Sequence, residues 1–378
     1  MIIFQNLTFG GNFTYVKPDL PPPSSYLWAF GTPGRSLGVG DTITRSSPVQ
    51  VGSLGTWSKI RATGVSQSFA IKTDGTLWAW GSNSYGSLGL GNTTSISSPV
   101  QIGALTNWAT VDGATGFPFA GAIKTDGTLW TWGYNAYSAG QLGLGNTTNY
   151  SSPKQVGALT NWLNISASSY GCMAIKTNGT LWTWGHNNLG QLGVGDTTAR
   201  NSPVQVGAGT TWSTVSAKAY YSAAIKTDGT LWTWGYGFYG TLGLGDTTNR
   251  SSPVQVGSLT NWSVVHILTN GTLLAVKTDG TLWGWGSGSS GQLGLGAAPV
   301  YYSSPKQIGA LTTWLNVSGA AANSSAIKTD GTVWTWGNNA QGQLGLGNTT
   351  SYSSPKQVGA LTTWTAISSA GHTLLISS

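Results

Sequence analysis

The carboxylates are the residues from which this chain could most readily build acid–base or metal chemistry. The sequence contains ten acidic residues, all of them Asp. Most recur at two fixed positions of an internal repeat: Asp74, Asp126, Asp228, Asp279 and Asp330 precede a Gly, as does Asn178, and Asp41, Asp196 and Asp246 share a second position with Asn92, Asn146 and Asn348. Such repetition indicates a structural role, and only Asp19 and Asp112 remain outside it. Two isolated carboxylates do not supply the paired acids of a hydrolase.

Other groups able to ligate a metal or act as a nucleophile are scarce and scattered. His186, His266 and His372 lie in three different repeats, so neither a metal-ligand spacing nor a catalytic-triad spacing is visible. The single Cys172 cannot form an internal disulfide and cannot hold zinc alone. We therefore expect no catalytic residue, no metal and no cofactor, and we interpret the chain as a non-enzyme.

The basic residues are equally dispersed, although the formal net charge is +7. One Lys precedes each Asp-Gly or Asn-Gly pair, at Lys72, Lys124, Lys176, Lys226, Lys277 and Lys328. A nucleic-acid site should show a clustered basic stripe, so we expect no nucleic-acid partner. Three Arg residues stand four positions after a recurring Asp, in the pairs Asp41–Arg45, Asp196–Arg200 and Asp246–Arg250. We predict that each pair braces a long loop; an Arg ligand for anions is the alternative.

The elements that must position these groups follow from a repeat built on Leu-Trp-Ala-Trp-Gly at 77–81. Related copies begin at Leu27, Leu129, Leu181, Leu231, Leu282 and Val333, so seven copies stand 50 to 52 residues apart. Aromatic residues two positions apart point to the same side of a strand, and a period of this length is typical of a solenoid or a propeller. Only 7% of the residues are charged, and Gly, Thr, Ser and Trp are abundant, which favours an all-β protein.

Each repeat is predicted to contain four short strands, at 57–62, 69–73, 76–80 and 99–103 in the first full unit, with Pro99 at the permitted start of a strand. The Asp-Gly pair predicts a hairpin turn, because Asp and Asn tolerate positive φ. The chain begins with a third-strand segment and ends with first- and second-strand segments. The sequence therefore predicts an all-β, seven-bladed β-propeller of four-stranded antiparallel blades, closed by a composite blade from the N- and C-terminal segments.

The passages 184–196 (Trp-Gly-His-Asn-Asn-Leu-Gly-Gln-Leu-Gly-Val-Gly-Asp) and 336–347 closely resemble the signature of the regulator-of-chromosome-condensation repeat family. The resemblance covers residues 26–378 and implies a seven-bladed propeller. Members of that family include a Ran GTPase exchange factor that binds chromatin, a plant UV-B photoreceptor and β-lactamase inhibitor proteins, so the resemblance implies no single function. The photoreceptor's Gly-Trp-Arg-His-Thr motif is missing here, with Gly371-His372-Thr373 only a fragment of it, and the repeat uses all 20 Trp residues.

The two faces of such a propeller differ in how much the repeats vary. The Asp-Gly turns and the links between blades emerge on one face, the turn face, and are nearly identical. The loops between strands one and two and between strands three and four emerge on the other, the variable face, and loops of this kind carry recognition. Four consecutive repeats place aromatic residues there: Tyr85, Phe117, Phe119, Tyr134, Tyr137, Tyr170, Tyr220, Tyr221, Tyr236, Phe238 and Tyr239. We expect them to bind a protein or a glycan; packing over the central channel is the alternative.

Residues 1–25 lie outside the repeat and form the first of two predicted regions, the second being the propeller at 26–378. The first region combines a stiff Pro-rich spacer at 21–23 with five apolar residues that it is too short to bury: Phe4, Leu7, Phe9, Phe13 and Tyr15. We predict an extended arm that anchors the propeller to a partner protein in a larger assembly. The alternative is a tail that lies on its own domain.

The combined features predict a non-enzymatic recognition propeller displayed on a larger assembly. Its low charge and its Thr, Ser, Asn and Gly content resemble those of exposed phage virion proteins such as tail-fibre, appendage or decoration subunits. We expect no secretory signal and no membrane insertion, hence a place on the virion surface or otherwise in the cytoplasm. The rival hypothesis is an intracellular regulator of a GTPase or of chromatin, like the family's founder, which clustered Arg on one face would favour.

Overall fold

The computed structural model describes residues 25–296, apart from 33, 54, 65, 138 and 139, together with residues 301–378. The predicted anchor residues Phe4, Leu7, Phe9, Phe13 and Tyr15 lie outside this part of the chain, so the anchor and the domain boundary that depends on it stay predictions.

Strands dominate the described residues and form seven four-stranded antiparallel sheets. The chain opens with β1 (Tyr26–Gly31) and β2 (Arg45–Gln50). Blade 1 contains β3 (Trp57–Ala62), β4 (Gln67–Lys72), β5 (Leu77–Gly81) and β6 (Ile96–Gln101); blade 2 contains β7 (Trp108–Gly113), β8 (Phe119–Lys124), β9 (Leu129–Gly133) and β10 (Tyr150–Gln155); blade 3 contains β11 (Trp162–Ala167), β12 (Gly171–Lys176), β13 (Leu181–Gly185) and β14 (Arg200–Gln205).

The remaining blades repeat this order. Blade 4 contains β15 (Trp212–Lys218), β16 (Tyr221–Lys226), β17 (Leu231–Gly235) and β18 (Arg250–Gln255); blade 5 contains β19 (Trp262–Ile267), β20 (Thr272–Lys277), β21 (Leu282–Ser287) and β22 (Tyr301–Gln307); blade 6 contains β23 (Trp314–Gly319), β24 (Asn323–Lys328), β25 (Val333–Gly337) and β26 (Tyr352–Gln357); and the chain ends with β27 (Trp364–Ser369) and β28 (His372–Ser377). Short 3-10 turns lie at Arg35–Leu37, Ser84–Gly86 and Phe238–Gly240. No helix within these described ranges is long and apolar enough to cross a membrane.

The seventh blade is the predicted composite, with strand order β2-β1-β28-β27. Tyr26 at the start of β1 pairs with Ser377 near the end of the chain. The indole of Trp28 donates to Ser377 Oγ at 3.1 Å, so side chains as well as backbone join the two ends. The predicted fold class is confirmed, and pairing of β1 with β28 closes the ring, so that each sheet keeps only its innermost and outermost strands as edges.

The position of Pro99 differs from the prediction. It lies inside β6, which begins at Ile96, and not at the start of a strand. Pairing of β5 with β6 is irregular here, because Gly81 pairs with Ile96 and Ala79 with Val100. A proline is tolerated because β6 is the outer edge strand and the ladder is interrupted at this point.

The Asp-Gly turn forms where predicted, but for a different reason. Gly75 adopts the positive φ, 78°, whereas Asp74 does not. The Asp74 carboxylate instead accepts hydrogen bonds from the Thr76 hydroxyl at 2.7 Å and from the Thr76 N–H at 2.9 Å. These hydrogen bonds, the one from the hydroxyl foremost, hold the pKa of Asp74 below its usual value. The Asp is therefore a side-chain acceptor that fixes the turn.

The lysines before these turns have a role that the spacing did not reveal. Lys124 places its Nζ 3.9 Å from the centre of the Trp130 ring and 5.0 Å from that of Trp108. The same arrangement recurs at Lys72, Lys176, Lys226, Lys277 and Lys328. Burial lowers the pKa of Lys124 while the Asp126 charge opposes that shift. These cations cap pairs of indoles by cation–π attraction and are dispersed around the turn face.

The second Trp of each ladder wedges into the preceding blade. Trp132 is fully buried, and its Nε1–H donates to Ser87 O of blade 1 at 3.0 Å. A Cβ on Gly89 would lie 2.9 Å from Trp132 Nε1, so the facing loop must carry glycine there. Five further Trp residues donate in the same way at 2.8–3.1 Å: Trp80, Trp184, Trp234, Trp285 and Trp336. Phe30 takes this place in blade 7.

Polar side chains link the first strands of neighbouring blades around the axis. One residue per blade, four positions after the first-strand Trp, reaches towards the next blade; we call this set the inner girdle: Arg61, Asp112, Ser166, Ser216, His266, Ser318 and Ser368. Ser166 Oγ accepts from Ala217 N at 3.0 Å, and Ser368 Oγ from Ala62 N at 2.9 Å. Asp112 Oδ2 accepts from Ala167 N at 3.0 Å, and His266 Nε2 lies 3.3 Å from Gly319 O. The remaining members make similar contacts. Ser216 Oγ accepts from Ile267 N, Ser318 Oγ accepts from Ser369 N, and Arg61 forms an ion pair with Asp112.

Replacing Trp132 by Phe tests the wedge. The change keeps an aromatic ring but leaves the buried Ser87 carbonyl without its donor, so we expect a loss of about 1–3 kcal/mol in the free energy of unfolding by urea. The matched control is Trp130→Phe, whose half-buried Nε1 donates to Thr128 Oγ1 and should cost less than about 1 kcal/mol. Equal losses from the two substitutions would contradict the wedge.

Candidate functional site

The aromatic side chains of the variable face form one continuous line across blades 1 to 5, which we call the aromatic arc. Its members are Tyr85, Phe117, Tyr134, Tyr137, Tyr170, His186, Tyr220, Tyr236, Phe238, Tyr239 and Tyr301. Each ring contacts at least one other member, and the contacts run without a break from Tyr85 to Tyr301, with centroid separations from 4.3 to 6.4 Å. The predicted arc is therefore one contiguous surface.

The first part of the arc runs from blade 1 into blade 2. Tyr85 lies 4.7 Å from Tyr134, which stacks on Phe117 at 5.2 Å with an interplanar angle of 22°. Phe117 also contacts Tyr137 at 4.6 Å. Three loops from two blades thus converge through aromatic contacts.

The middle of the arc crosses from blade 2 through blade 3 to blade 4. Tyr137 lies 5.1 Å from Tyr170, and Tyr170 stacks on Tyr220 at 4.6 Å with an interplanar angle of 24°. His186 contacts both Tyr137 and Tyr170, at 5.5 and 5.8 Å. Offset and edge contacts at these separations each contribute about 0.5–1.5 kcal/mol beyond area burial, so the loops order one another.

The far end of the arc is the most exposed. Tyr236 stacks on Phe238 at 5.7 Å, Phe238 contacts Tyr239 at 4.3 Å, and Tyr239 contacts Tyr301 at 6.3 Å. Phe238, Tyr239 and Tyr301 are 47%, 43% and 58% exposed. Exposed aromatic groups of this kind form a surface able to receive a partner. Tyr301 was missed from the sequence, although the Tyr-Tyr pair at 301–302 stands where other repeats have one such residue.

Backbone strain accompanies exposure at two equivalent positions. Tyr85 and Tyr239 have φ of 59° and 58°, in the left-handed region. Each is followed by a Gly whose Cβ would clash with the next blade, Gly86 with Ser151 and Gly240 with Ser303. A non-glycine residue held in this conformation costs about 1–3 kcal/mol, and such strain concentrates at functional sites.

Two predicted members of the site belong to the core. Phe119 is fully buried in β8 and belongs to the hydrophobic cluster that contains Trp162 and Trp184. Tyr221 is only 6% exposed and belongs to the hydrophobic cluster of β16. Both stand at the start of the second strand, where the chain has left the loop and its side chains turn between blades. The boundary between loop and strand was placed too late in the sequence.

The aromatic arc carries no side chain that is charged near neutral pH. Burial is the main cause that raises the pKa of Tyr220 to about 12, and a hydrogen bond with the Tyr170 hydroxyl adds to the shift. Burial lowers the pKa of His186, and a hydrogen bond with Asn188 opposes that shift. Phenol and imidazole are thus both neutral at pH 7, and the surface offers flat apolar faces bordered by hydroxyl groups.

The charges of the long loops are paired as predicted. Arg45, Arg200 and Arg250 each contact their Asp four residues earlier, at 2.6, 2.7 and 2.7 Å. A backbone hydrogen bond from Ile43 is the largest cause that lowers the pKa of Asp41. The pairs are partly exposed and worth about 0–1 kcal/mol each, so they brace loops.

Grooves at the outer seams between blades repeat with the sequence. One of about 320 Å³ lies beside Trp108 and Trp130, and others of about 340 and 550 Å³ lie beside Trp364 and Trp262. Equivalent residues line each groove, so they are properties of the repeat. Within the described ranges no cluster of three or more His, Cys, Asp or Glu side chains could hold a metal ion.

The closed ring of seven four-stranded sheets defines the class of protein, a seven-bladed β-propeller. Comparison with known families identifies the repeat as the regulator of chromosome condensation (RCC1) repeat, at residues 74–117, 126–175, 178–225, 228–268, 279–327 and 330–376. The chain belongs to the RCC1 repeat family.

Curated relatives are matched over part of their length. A stretch of 167 residues is 29% identical to the E3 ubiquitin-protein ligase HERC2 of Homo sapiens, covering 43% of this chain and 3% of that protein. Another of 154 residues is 33% identical to the ultraviolet-B receptor UVR8 of Arabidopsis thaliana, covering 40% of this chain and 34% of the receptor. The chain thus spans well under two thirds of either relative.

Solved structures share the fold. Human WBSCR16 superposes with a TM-score of 0.80 at 19% identity, covering 94% of this chain and 98% of that one. Prp20p from Saccharomyces cerevisiae gives a TM-score of 0.80 at 17% identity, covering 94% and 91%. At these identities the likeness establishes architecture alone.

A pair of substitutions separates the arc from the core. Phe119→Ala should lower the free energy of unfolding by about 3–5 kcal/mol, because it empties a fully buried site. Phe117→Ala removes a partly exposed ring and should cost about 1 kcal/mol. Urea unfolding followed by circular dichroism measures both, and similar losses would place Phe117 in the core as well.

Proposed function

We propose that the chain is a non-enzymatic recognition propeller that binds a protein or a glycan through the aromatic arc. The observation that carries the proposal is the unbroken line of contacting aromatic rings from Tyr85 to Tyr301, placed on the face where the blades differ. Members of this family use one scaffold for several functions, so function has to be argued from such a surface.

Two properties of the aromatic arc support this proposal: its rings are ordered before a ligand binds, and its surface is neutral. Aromatic rings have few rotatable bonds, so a pre-packed line of them buries area on binding at a low entropic cost. The left-handed backbone at Tyr85 and Tyr239 holds two rings outward before any ligand arrives. A neutral surface suits an uncharged glycan or the aromatic and apolar residues of a protein.

The attachment proposed for residues 1–25 agrees with the geometry around Ser25. Ser25 forms bridges with Gly55 and Thr56, and its hydroxyl donates to Trp57 O at 2.7 Å. These residues lie in the link before blade 1, on the turn face. Ser25 therefore lies on the face opposite the aromatic arc. An anchor on that side would leave the arc pointing away from the assembly, and we propose the surface of a phage virion as its location.

Regulation of a GTPase or of chromatin is the second candidate. It is supported by the relative Prp20p, a yeast protein described for its binding to Gsp1p and histones. Clustered Arg residues on one face would favour this candidate. In the part of the chain that the structure describes, three Arg residues are paired within their own loops and one with Asp112, which favours the first proposal.

Removing the exposed end of the arc should abolish recognition without unfolding the propeller. We expect the variant Tyr236→Ala, Phe238→Ala, Tyr239→Ala to bind at least tenfold more weakly than the unaltered chain, because it loses three contact surfaces. Fluorescently labelled chain is applied to an array of neutral oligosaccharides and to a displayed peptide library, so that each class of ligand has its own readout.

The matched control is the double variant Tyr150→Ala, Tyr352→Ala, which removes two aromatic rings that start outer strands and that contact no ring of the aromatic arc among the described residues. It should bind like the unaltered chain. Unchanged binding by the arc variant, or no feature bound above the arc variant on either array, would overturn the proposal.

Deletion of residues 1–24, which retains Ser25 and its bridges, tests the anchor. We expect the shortened chain to keep a cooperative thermal transition within a few degrees of the full chain, and to keep array binding, yet to be absent from purified particles. Co-sedimentation with particles, detected by immunoblot, is the measurement. Retention of the shortened chain in particles would mean that the anchor lies elsewhere.

A further inference from the structure

The central channel contains a buried cation that the aromatic arc does not use. A cavity of about 360 Å³ is lined by first-strand residues of all seven blades, which places it on the propeller axis. It opens on the turn face, since the lining begins with Ser58 and Lys59 near the start of β3 and ends at the inner girdle. Lys218 lies two residues beyond Ser216 on β15, and therefore just beyond the inner girdle at which the cavity ends.

Lys218 is only 3% exposed, and no hydrogen bond joins its Nζ to any described residue. Blades 1, 2, 3, 5, 6 and 7 have small or apolar residues at this level: Thr63, Ala114, Ser168, Leu268, Ala320 and Ala370. A buried ammonium without a partner destabilises the fold, so we expect a group that compensates its charge.

Burial and two charged neighbours determine the pKa of Lys218, which is lowered to about 7. Burial is the largest cause, the Arg61 charge adds to the lowering, and the Asp112 charge opposes it. Arg61 belongs to blade 1 and Lys218 to blade 4, on the opposite side of the axis, so the two charges interact across the axis. Burial together with Arg61 and Lys218 lowers the pKa of His266 to about 3, so this imidazole is neutral.

Asp112 is the only carboxylate among the described residues that line the cavity, and it cannot neutralise both cations. Asp112 Oδ1 accepts from Gly113 N at 2.6 Å and pairs with Arg61, while Oδ2 accepts from Ala167 N at 3.0 Å. The terminal nitrogens of Arg61 make no hydrogen bond to a described residue, although its Nε contacts Asp112. Positive charge and free N–H donors therefore remain in the channel.

We propose that the central channel binds one small dianionic oxyanion, of the sulfate or hydrogen phosphate class, between Lys218 and the guanidinium of Arg61. The planar guanidinium offers two parallel N–H groups to such an anion, and the ammonium supplies a point charge from the other side. The Asn164 and Thr110 side chains of the cavity are further polar neighbours. Such an anion would supply acceptors for the Lys218 ammonium and for the terminal N–H groups of Arg61.

Equilibrium dialysis of the whole chain against radiolabelled sulfate, in chloride-free zwitterionic buffer at pH 6, tests this site. We expect one sulfate per chain, with affinity at least tenfold lower in Lys218→Met and in Arg61→Met. Lys356→Met, an exposed lysine on β26, is the matched control and should bind like the unaltered chain. Lys218→Met removes an unpaired charge and should fold even if loss of the Arg61 ion pair prevents folding of Arg61→Met.

A pH series gives an independent readout. Sulfate keeps its charge between pH 6 and 8.5, whereas Lys218 loses its proton as the pH rises through about 7, so binding should weaken over this range. His266, with its pKa lowered to about 3, stays neutral over this range and does not produce such a change. Acetate as competitor should displace sulfate weakly if the site selects dianions. Absence of saturable sulfate binding, or equal binding by Lys218→Met and the unaltered chain, would overturn the proposal.

Discussion

The indole N–H of the second ladder Trp is the interaction on which the architecture depends. A Trp such as Trp132 fills the space between two blades, and its one polar group must be satisfied there because water is excluded. The carbonyl of Ser87, in the loop of the preceding blade, satisfies it. Each blade is therefore incomplete without the one before it. Six blades make this hydrogen bond and the seventh packs Phe30 in the same place, and all seven contacts can form only when the circle closes.

The inner girdle applies the same dependency at the axis with different chemistry. Ser166 and Ser216 accept backbone N–H groups from the next blade, and Asp112 does so with a charge. Substituting a charged residue for a serine keeps the hydrogen bond but introduces an electrostatic requirement, here shared by Arg61, His266 and Lys218. The residues beside the channel therefore differ from blade to blade, although the blades themselves are alike.

The fold followed from the sequence because its signals are repeated and local. Paired Trp residues at a fixed period, Asp-Gly turns and complementary chain ends specify strand number, hairpins and closure. The arc was found for a similar reason, since its aromatic residues fall in loops that vary. Phe119 and Tyr221 were assigned wrongly because one residue decides whether a side chain enters a loop or turns between blades. Lys218 escaped notice because the neighbours that matter to it, Arg61 and Asp112, lie more than 100 positions away in the chain and meet it only across the axis.

The meeting of Tyr26 and Ser377 in one sheet has a consequence for how freely the chain could be rearranged. Because these two residues are adjacent, a short peptide joining Ser377 to Tyr26 would close the propeller into a covalent circle without disturbing any strand. New ends could then be opened at any of the links between blades, which lie on the turn face. Such circular permutants would carry the same loops in the same cyclic order, and any segment fused to the new end would emerge at a chosen angle relative to the aromatic surface.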